Sequence, residues 1–222
     1  MSKIALAIID GTGDYNDADY AKEMARSFCN QLSYKFPGAA RYERGPSLEG
    51  YRIRERGQRA ADFLNKQQAA GAKQLFIAGY SRGGSAAVFA ADILGKAKIA
   101  VDGMFLFDPV ARHFTPGGEG IPANVRYSRT ALRSRDPALI AKYEPLINPC
   151  NPMRPSFGNI DLTPVGGGIH EQMTFRGSHG ALGGVGWKEV TEDPACQMAV
   201  ANYMNVGFAR FGIDVGLASF AA

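Results

Sequence analysis

The chain has 222 residues, of which 45% are hydrophobic and 21% are charged, and its formal net charge is +4. This composition is ordinary for a globular protein, and the length suits a single domain over residues 1–222 with a sizeable core. No apolar run approaches the length of a membrane-spanning helix, and the mild positive charge gives no reason to expect a nucleic-acid partner.

Short apolar runs alternate with helical segments along the chain. The predicted strands cover residues 4–9, 73–78, 99–107, 125–132 and 172–175. The predicted helices cover residues 18–32, 54–68, 84–94 and 191–211, and a short one opens at residues 135–137. The first strand is apolar on both faces, as expected where helices cover both sides of a parallel sheet. The fold class is therefore α/β, with a long loop or small lid expected at residues 148–168.

The most informative motif is Gly79-Tyr80-Ser81-Arg82-Gly83, which lies between a predicted strand and a predicted helix. The pentapeptide alone occurs by chance in a glycine-rich chain, but the strand–turn–helix context is that of a nucleophile elbow. Its two glycines allow a sharp backbone turn that exposes the serine hydroxyl above the sheet edge. Ser81 is therefore the candidate nucleophile, and the fold is expected to be α/β-hydrolase-like.

A serine hydroxyl becomes a good nucleophile only when a base takes its proton, and this base is usually a histidine. His179 follows the last predicted strand and has glycines around it, where a hydrolase of this type carries its base. A solvent-exposed turn is the alternative for this histidine. His170 precedes the same strand and would face the opposite end of the sheet, while His113 is a candidate for lining the pocket.

Two aspartates are candidates for the acid that orients the imidazole. Asp136 follows the penultimate predicted strand, where the third member of the triad usually lies, and it is the preferred acid. Asp108 ends the preceding strand and is the alternative. Both aspartates precede a proline, so each could instead cap the start of a helix.

An oxyanion hole requires backbone N–H groups that face the developing negative charge. The amide of Arg82 is the first candidate, because it directly follows the nucleophile at the positive end of a helix. The second candidate is the amide of Gly11 or Thr12, in the loop after the first strand. Asp10 and Asp14 in this loop are expected to accept loop hydrogen bonds, so we expect no metal and no cofactor.

Positive charge is concentrated in one segment of the chain. Its arginines are Arg41, Arg44, Arg52, Arg54, Arg56 and Arg59. A solvated surface is the ordinary interpretation of such a segment. The alternative is an electropositive surface that attracts anionic substrates or lipid headgroups.

The three cysteines, Cys29, Cys150 and Cys196, lack the spacing of metal or redox motifs. This pattern is typical of reduced thiols in an intracellular protein, and one disulfide between two of them is the alternative. The apolar run at the N-terminus stops at Asp10 and is too short for a cleaved leader. We therefore expect a cytoplasmic protein, with leaderless secretion as the alternative. Peripheral contact with a membrane is compatible with either location.

Several segments occur in the order that one known family shows. They are Ile9-Asp10-Gly11-Thr12, Gly79-Tyr80-Ser81-Arg82-Gly83, Phe107-Asp108-Pro109-Val110, residues 131–136 and Phe175-Arg176-Gly177-Ser178-His179. Together they resemble the α/β-hydrolase family of bacterial and fungal proteins that includes the type VI secretion phospholipase effectors. This chain has Gly180-Ala181 where that family has Ser-Asp, Tyr80 where Phe is common, and Pro109 where Thr is common.

The resemblance implies that Ser81 is the nucleophile, Asp136 the acid and His179 the base of an ester hydrolase, with phospholipids as one substrate class. The expected function is cleavage of a carboxylic ester, including lipid esters and thioesters, through an acyl-enzyme. One alternative is a phosphate-handling enzyme, because the loop that begins at Asp10 also resembles an aspartate-based phosphotransfer loop. Another is a hydrolase fold used only for binding.

Overall fold

The computed structural model describes residues 3–47, 52–111, 119–143 and 160–219. Its strands are β1 (Ile4–Ile9), β2 (Ala39–Glu43), β3 (Gln74–Tyr80), β4 (Gly103–Phe107), β5 (Glu119–Ile121), β6 (Tyr127–Arg133), β7 (Asp161–Pro164) and β8 (Ile169–Phe175). Its helices are α1 (Asp17–Glu23), α2 (Phe28–Lys35), α3 (Ile53–Ala69), α4 (Arg82–Lys96), α5 (Pro137–Lys142), α6 (His179–Leu182) and α7 (Asp193–Ala209).

Six of these strands form one sheet in the order β2-β1-β3-β4-β6-β8, and every neighbouring pair is parallel. β5 and β7 pair with each other in a separate two-stranded sheet. Because the six strands are parallel, their carboxyl ends lie at one edge of the sheet, which is where open α/β sheets carry their sites. The predicted α/β class with a parallel sheet is confirmed.

The strands bury side chains on both faces of the sheet. Leu6 and Ile8 of β1 pack with α2 and α7 on one face, where Phe105 of β4 stacks on Phe208 of α7 with ring centroids 3.7 Å apart. Ala5, Ala7 and Ile9 pack with α3 and α4 on the other face. The two-sided burial explains why β1 is apolar at every position.

Several predicted elements differ from the structure. The single helix expected at 18–32 is divided into α1 and α2, because Ser27 caps α2 by accepting a hydrogen bond from the amide of Asn30. The edge strand β2 was not predicted, because its sequence is short and half polar. The helix predicted at 191–211 has apolar residues at helical spacing that suit a face against the sheet, but two of them in α7, Met198 and Val206, are 57% and 61% exposed.

Cys29 and Cys196 are buried free thiols. None of the helices in the described ranges is long and apolar enough to cross a bilayer. Cys150, His113 and residues 148–159 of the predicted lid lie outside the described residues, and β7 occupies part of the remainder of that segment.

Candidate active site

Ser81 lies in a sharp turn between β3 and α4, with backbone angles φ 56° and ψ −129°. This left-handed conformation is strained for a residue with a side chain and is typical of functional positions. The turn can form because Gly79 and Gly83 are glycines. A Cβ on Gly79 would lie 2.5 Å from the carbonyl oxygen of Gly83, and a Cβ on Gly83 would lie 2.2 Å from that of Ile9. The sharp strand–turn–helix geometry expected at this motif is therefore present in the backbone.

His179 connects the serine to a carboxylate. Its Nε2 lies 2.8 Å from Ser81 Oγ, and its Nδ1 lies 2.6 Å from Asp108 Oδ2. All three side chains are buried, and each residue follows the carboxyl end of a strand: β3 for Ser81, β4 for Asp108 and β8 for His179. A carboxylate on Nδ1 favours the tautomer in which Nε2 is free to accept the proton of the serine.

Asp108 lies in a polar environment within the core. Its Oδ1 accepts the amide of Arg133 at 3.1 Å, and the Arg133 guanidinium lies 3.6 Å from its Oδ2. Burial by itself raises the pKa of Asp108, but the hydrogen bond and the charge of His179, together with the charge of Arg133, hold that pKa below its usual range. Asp108 is therefore a carboxylate at neutral pH.

The expectation that Asp136 orients His179 is corrected by this geometry. Asp136 caps α5 by accepting the amide of Ala138 at 2.9 Å, and it forms an ion pair with Arg176. Asp108 holds the position beside the imidazole because it directly follows β4, the strand next to β3, and its φ of 39° turns the chain there. The helix-capping alternative for Asp136 is the arrangement observed.

The two candidate amides in the loop after β1, those of Gly11 and Thr12, differ in their hydrogen bonding. The amide of Gly11 donates to Asp10 Oδ1 at 2.7 Å and is therefore engaged. The amide of Thr12 donates no hydrogen bond to any of the residues that the structure describes. Arg82 is the first residue of α4, so its amide lies at the positive end of that helix. Thr12 and Arg82 are thus the better pair of candidates for an oxyanion hole.

Asp10 organises this loop. Its side chain is completely buried and accepts hydrogen bonds from the hydroxyls of Ser27 and Tyr42 as well as from Gly11. Burial raises the pKa of Asp10 to about 6, against the lowering effect of these donors. A carboxylate enclosed in this way is not accessible to a substrate phosphoryl group, which disfavours Asp10 as a phosphotransfer nucleophile. No cluster suited to a metal ion occurs among the described residues.

Tyr80 is a residue of the site that the sequence did not reveal. Its ring lies against the imidazole of His179, with centroids 5.0 Å apart, and its hydroxyl donates to the His179 carbonyl oxygen at 3.1 Å. The same ring packs on Gly11 and Gly183, where an added Cβ would lie 2.4 Å from ring atoms. One side chain therefore contacts both the loop after β1 and the segment around His179. In the sequence, the glycines of these two loops are the feature that could have indicated a close contact with a large side chain.

A second missed residue, Asp193 at the start of α7, fixes the loop before the histidine. Its two oxygens accept hydrogen bonds from the amide of Ser178 at 2.8 Å and from the Ser178 hydroxyl at 2.6 Å. The hydroxyl of Ser178 in turn caps α6, which begins at His179. The position of the histidine is thus set in part by a carboxylate from the next helix, α7.

No family model and no curated protein matches this chain. Solved structures do match. The RedJ thioesterase from the prodiginine biosynthetic pathway of Streptomyces coelicolor is 11% identical over 82% of this chain and 81% of its own, with a TM-score of 0.44. A dienelactone hydrolase from Anabaena variabilis is 16% identical over 93% of this chain and 85% of its own, with a TM-score of 0.43.

The surfactin-cyclising thioesterase domain SrfTE is 14% identical over 79% of this chain and 82% of its own, with a TM-score of 0.39. At such low sequence identities and TM-scores, the similarity to these proteins gives no information about the reaction or the substrate of this chain. The α/β-hydrolase-like fold follows from the chain itself: a parallel sheet covered on both faces, an elbow after a central strand, and Ser81, Asp108 and His179 in that order. No comparison supports membership of the phospholipase-effector family.

Proposed function

We propose that this protein is a serine hydrolase that cleaves a carboxylic ester or thioester through an acyl-enzyme intermediate. The observation that carries the proposal is the buried hydrogen-bonded chain from Asp108 through His179 to Ser81. The strained backbone at Ser81 gives independent support, since such strain is kept where the surrounding structure requires it for function.

In the proposed reaction, Ser81 Oγ attacks the carbonyl carbon while its proton passes to His179 Nε2. The amides of Arg82 and Thr12 donate to the oxyanion of the tetrahedral intermediate. Asp108 accepts the Nδ1–H of His179 and stabilises the imidazolium. His179 then protonates the leaving alcohol or thiol, and a water molecule attacks the acyl-enzyme by the same steps to regenerate Ser81.

Phospholipids enter as substrates only through the motif resemblance, so they form one arm of a substrate panel with short-chain esters, long-chain esters and acyl thioesters. A binding protein with a hydrolase fold would differ from an enzyme in the reactivity of Ser81. In that case Ser81 would not react with a serine-directed probe.

The test is labelling of the purified protein with a fluorophosphonate, followed by intact mass spectrometry. We expect a single adduct on the native protein, no adduct on Ser81→Ala, and slow labelling of His179→Ala. Equal labelling of Ser81→Ala, or no labelling of well-folded native protein, would contradict the proposal.

A further inference from the structure

Three arginines near the candidate active site have no part in the hydrolytic chemistry. Arg44 directly follows β2, and Arg56 and Arg59 are neighbours one turn apart in the first half of α3. We call them the arginine cluster. Glu43, the last residue of β2, lies between the two elements and accepts hydrogen bonds from Arg59 at 3.0 and 2.7 Å.

The carboxylates near the cluster are already engaged. The other oxygen of Glu43 accepts a hydrogen bond from Arg41 at 2.8 Å. Arg44 forms an ion pair with Asp17, whose side chain is 87% exposed. Because water screens such an exposed carboxylate, the pair offsets little of the positive charge of Arg44. The Arg44 guanidinium also lies 4.1 Å from the centre of the Tyr20 ring.

Arg56 lacks such a partner. Its Nε is buried and has no hydrogen bond to any part of the chain that the structure describes. Burial lowers the pKa of Arg56, and the positive charges of Arg59 and Arg44 lower it further, against the smaller raising effect of the Glu43 charge. Glu43 offsets the charges of Arg41 and Arg59 but forms no hydrogen bond with Arg56, whose buried Nε–H is left as a donor for a further anion. This makes the cluster a candidate binding site.

The cluster lies on the same edge of the sheet as Ser81. β2, β1 and β3 are consecutive parallel strands, and Ser81 follows β3 as Arg44 follows β2. Two strand spacings separate β2 from β3, so the backbone of Arg44 lies about 10 Å from that of Ser81 along the sheet edge, and α3 begins at this same edge because it follows β2. The side chain of Arg82 donates to the carbonyl oxygen of Ser47 at 3.3 Å and connects the elbow with the loop after β2.

We propose that Arg56, with Arg44 and Arg59 beside it, binds an anionic oxygen group of the substrate, a phosphate or a carboxylate about 10 Å from the scissile carbonyl. A planar guanidinium suits either group, because its N–H donors match two oxygens at once. This inference rests on the proposed function and adds the substrate class: esters or thioesters that carry a distal negative charge.

The kinetic test compares two aryl esters of similar length, p-nitrophenyl decanoate and the mono-p-nitrophenyl ester of sebacic acid, which ends in a carboxylate. We expect Arg56→Gln to raise KM for the sebacate ester about tenfold, because a charge-assisted hydrogen bond is lost, and to leave KM for the decanoate ester unchanged. Arg54→Gln, an exposed arginine of the same helix, is the matched control and should change neither KM. Added salt should reduce the difference between the two esters.

A second readout does not require turnover. Titration of inorganic phosphate should raise the unfolding temperature of the native protein and of Arg54→Gln, and have little effect on Arg56→Gln. Equal KM values for both esters in all three proteins, with no stabilisation by phosphate, would overturn the anion site and leave the hydrolase intact. If neither ester is cleaved but phosphate binds through Arg56, the proposed function fails and the anion site stands.

Vesicles distinguish the source of the anion. Binding to phosphatidylglycerol vesicles, with no binding to phosphatidylcholine and loss in Arg56→Gln, would assign the site to a lipid headgroup. Phosphate binding without vesicle binding would assign it to a water-soluble substrate.

Discussion

The described part of the chain contains two serine–histidine pairs at opposite ends of the same sheet. Ser81 and His179 meet beyond the carboxyl ends of the strands, 2.8 Å apart. Ser128 and His170 are each the second residue of a strand, β6 and β8, and their side chains meet at the same distance of 2.8 Å. Distance alone therefore does not separate a candidate catalytic pair from a structural one.

The surroundings of the two imidazoles differ. His170 contacts Ser128 through Nδ1, and its Nε2 is buried without a partner among the described residues. His179 contacts Ser81 through Nε2 and has a buried carboxylate, Asp108, on Nδ1. Burial lowers the pKa of His170, which favours its neutral form. A catalytic pair thus requires the carboxylate that fixes the tautomer and the elbow that presents the hydroxyl.

The sharpest contrast is between the two histidines. We expect His179→Ala to lower kcat about 10⁴-fold or more, because the general base is removed. His170→Ala should leave kcat within about twofold of the native value, since no step uses it. Steady-state hydrolysis of p-nitrophenyl butyrate measures both. An equal loss of kcat in the two variants would mean that the two serine–histidine pairs do not differ in catalysis.

The two aspartates give the next largest effect. Asp108→Asn should lower kcat by about 10³- to 10⁴-fold, because an amide on Nδ1 favours the wrong imidazole tautomer. Asp136→Asn should change kcat less than about threefold, because the Asp136 carboxylate binds the amide of Ala138 in α5 and the side chain of Arg176 rather than His179. Circular dichroism checks that both variants fold. A larger loss in Asp136→Asn would restore Asp136 as the acid.

Two glycines test how tightly each region is packed. Gly83→Ala places a Cβ 2.2 Å from the Ile9 carbonyl oxygen and should lower the free energy of unfolding by about 1–3 kcal/mol. A Cβ on Gly167, in the turn before β8, meets no atom within 4 Å, so Gly167→Ala should be close to neutral. Urea denaturation gives both values. Similar stability of the two variants would mean that the elbow is less rigid than described.

The smallest expected effect concerns two tyrosine hydroxyls. Tyr80→Phe removes the hydrogen bond to the His179 carbonyl oxygen and should lower kcat about fivefold, with little change in KM, because about 1 kcal/mol of positioning is lost. Tyr203→Phe removes a buried hydroxyl that has no partner among the described residues and serves as the control. Unchanged kcat in Tyr80→Phe would limit Tyr80 to packing.

The parts of the site that the sequence predicted are those encoded locally. Ser81 could be predicted because the strand, the glycines and the helix around it are contiguous, and His179 because it follows a strand among glycines. The choice between Asp108 and Asp136 could not be made, since each follows one of two neighbouring strands and precedes a proline. The choice depends on which carboxylate lies within hydrogen-bond distance of the imidazole. That distance joins residues far apart in the chain, so no local pattern encodes it.

Other features depended on contacts that no local pattern encodes. The engagement of the Gly11 amide follows from the burial of Asp10, and the positions of Tyr80 and Asp193 follow from packing between loops and helices. The parallel sheet was predicted because two-sided burial makes strands such as β1 uniformly apolar, whereas the polar edge strand β2 carried no such signal.

The most direct test is to trap the acyl-enzyme. Native protein is mixed with p-nitrophenyl butyrate, quenched in acid within milliseconds to seconds, and analysed by intact mass spectrometry and peptide mapping, with Ser81→Ala alongside. We expect one butyryl group on Ser81 during turnover and none on Ser81→Ala. Turnover that leaves Ser81 unmodified, or a Ser81→Ala variant that turns over as fast as the native protein, would contradict the acyl-enzyme mechanism.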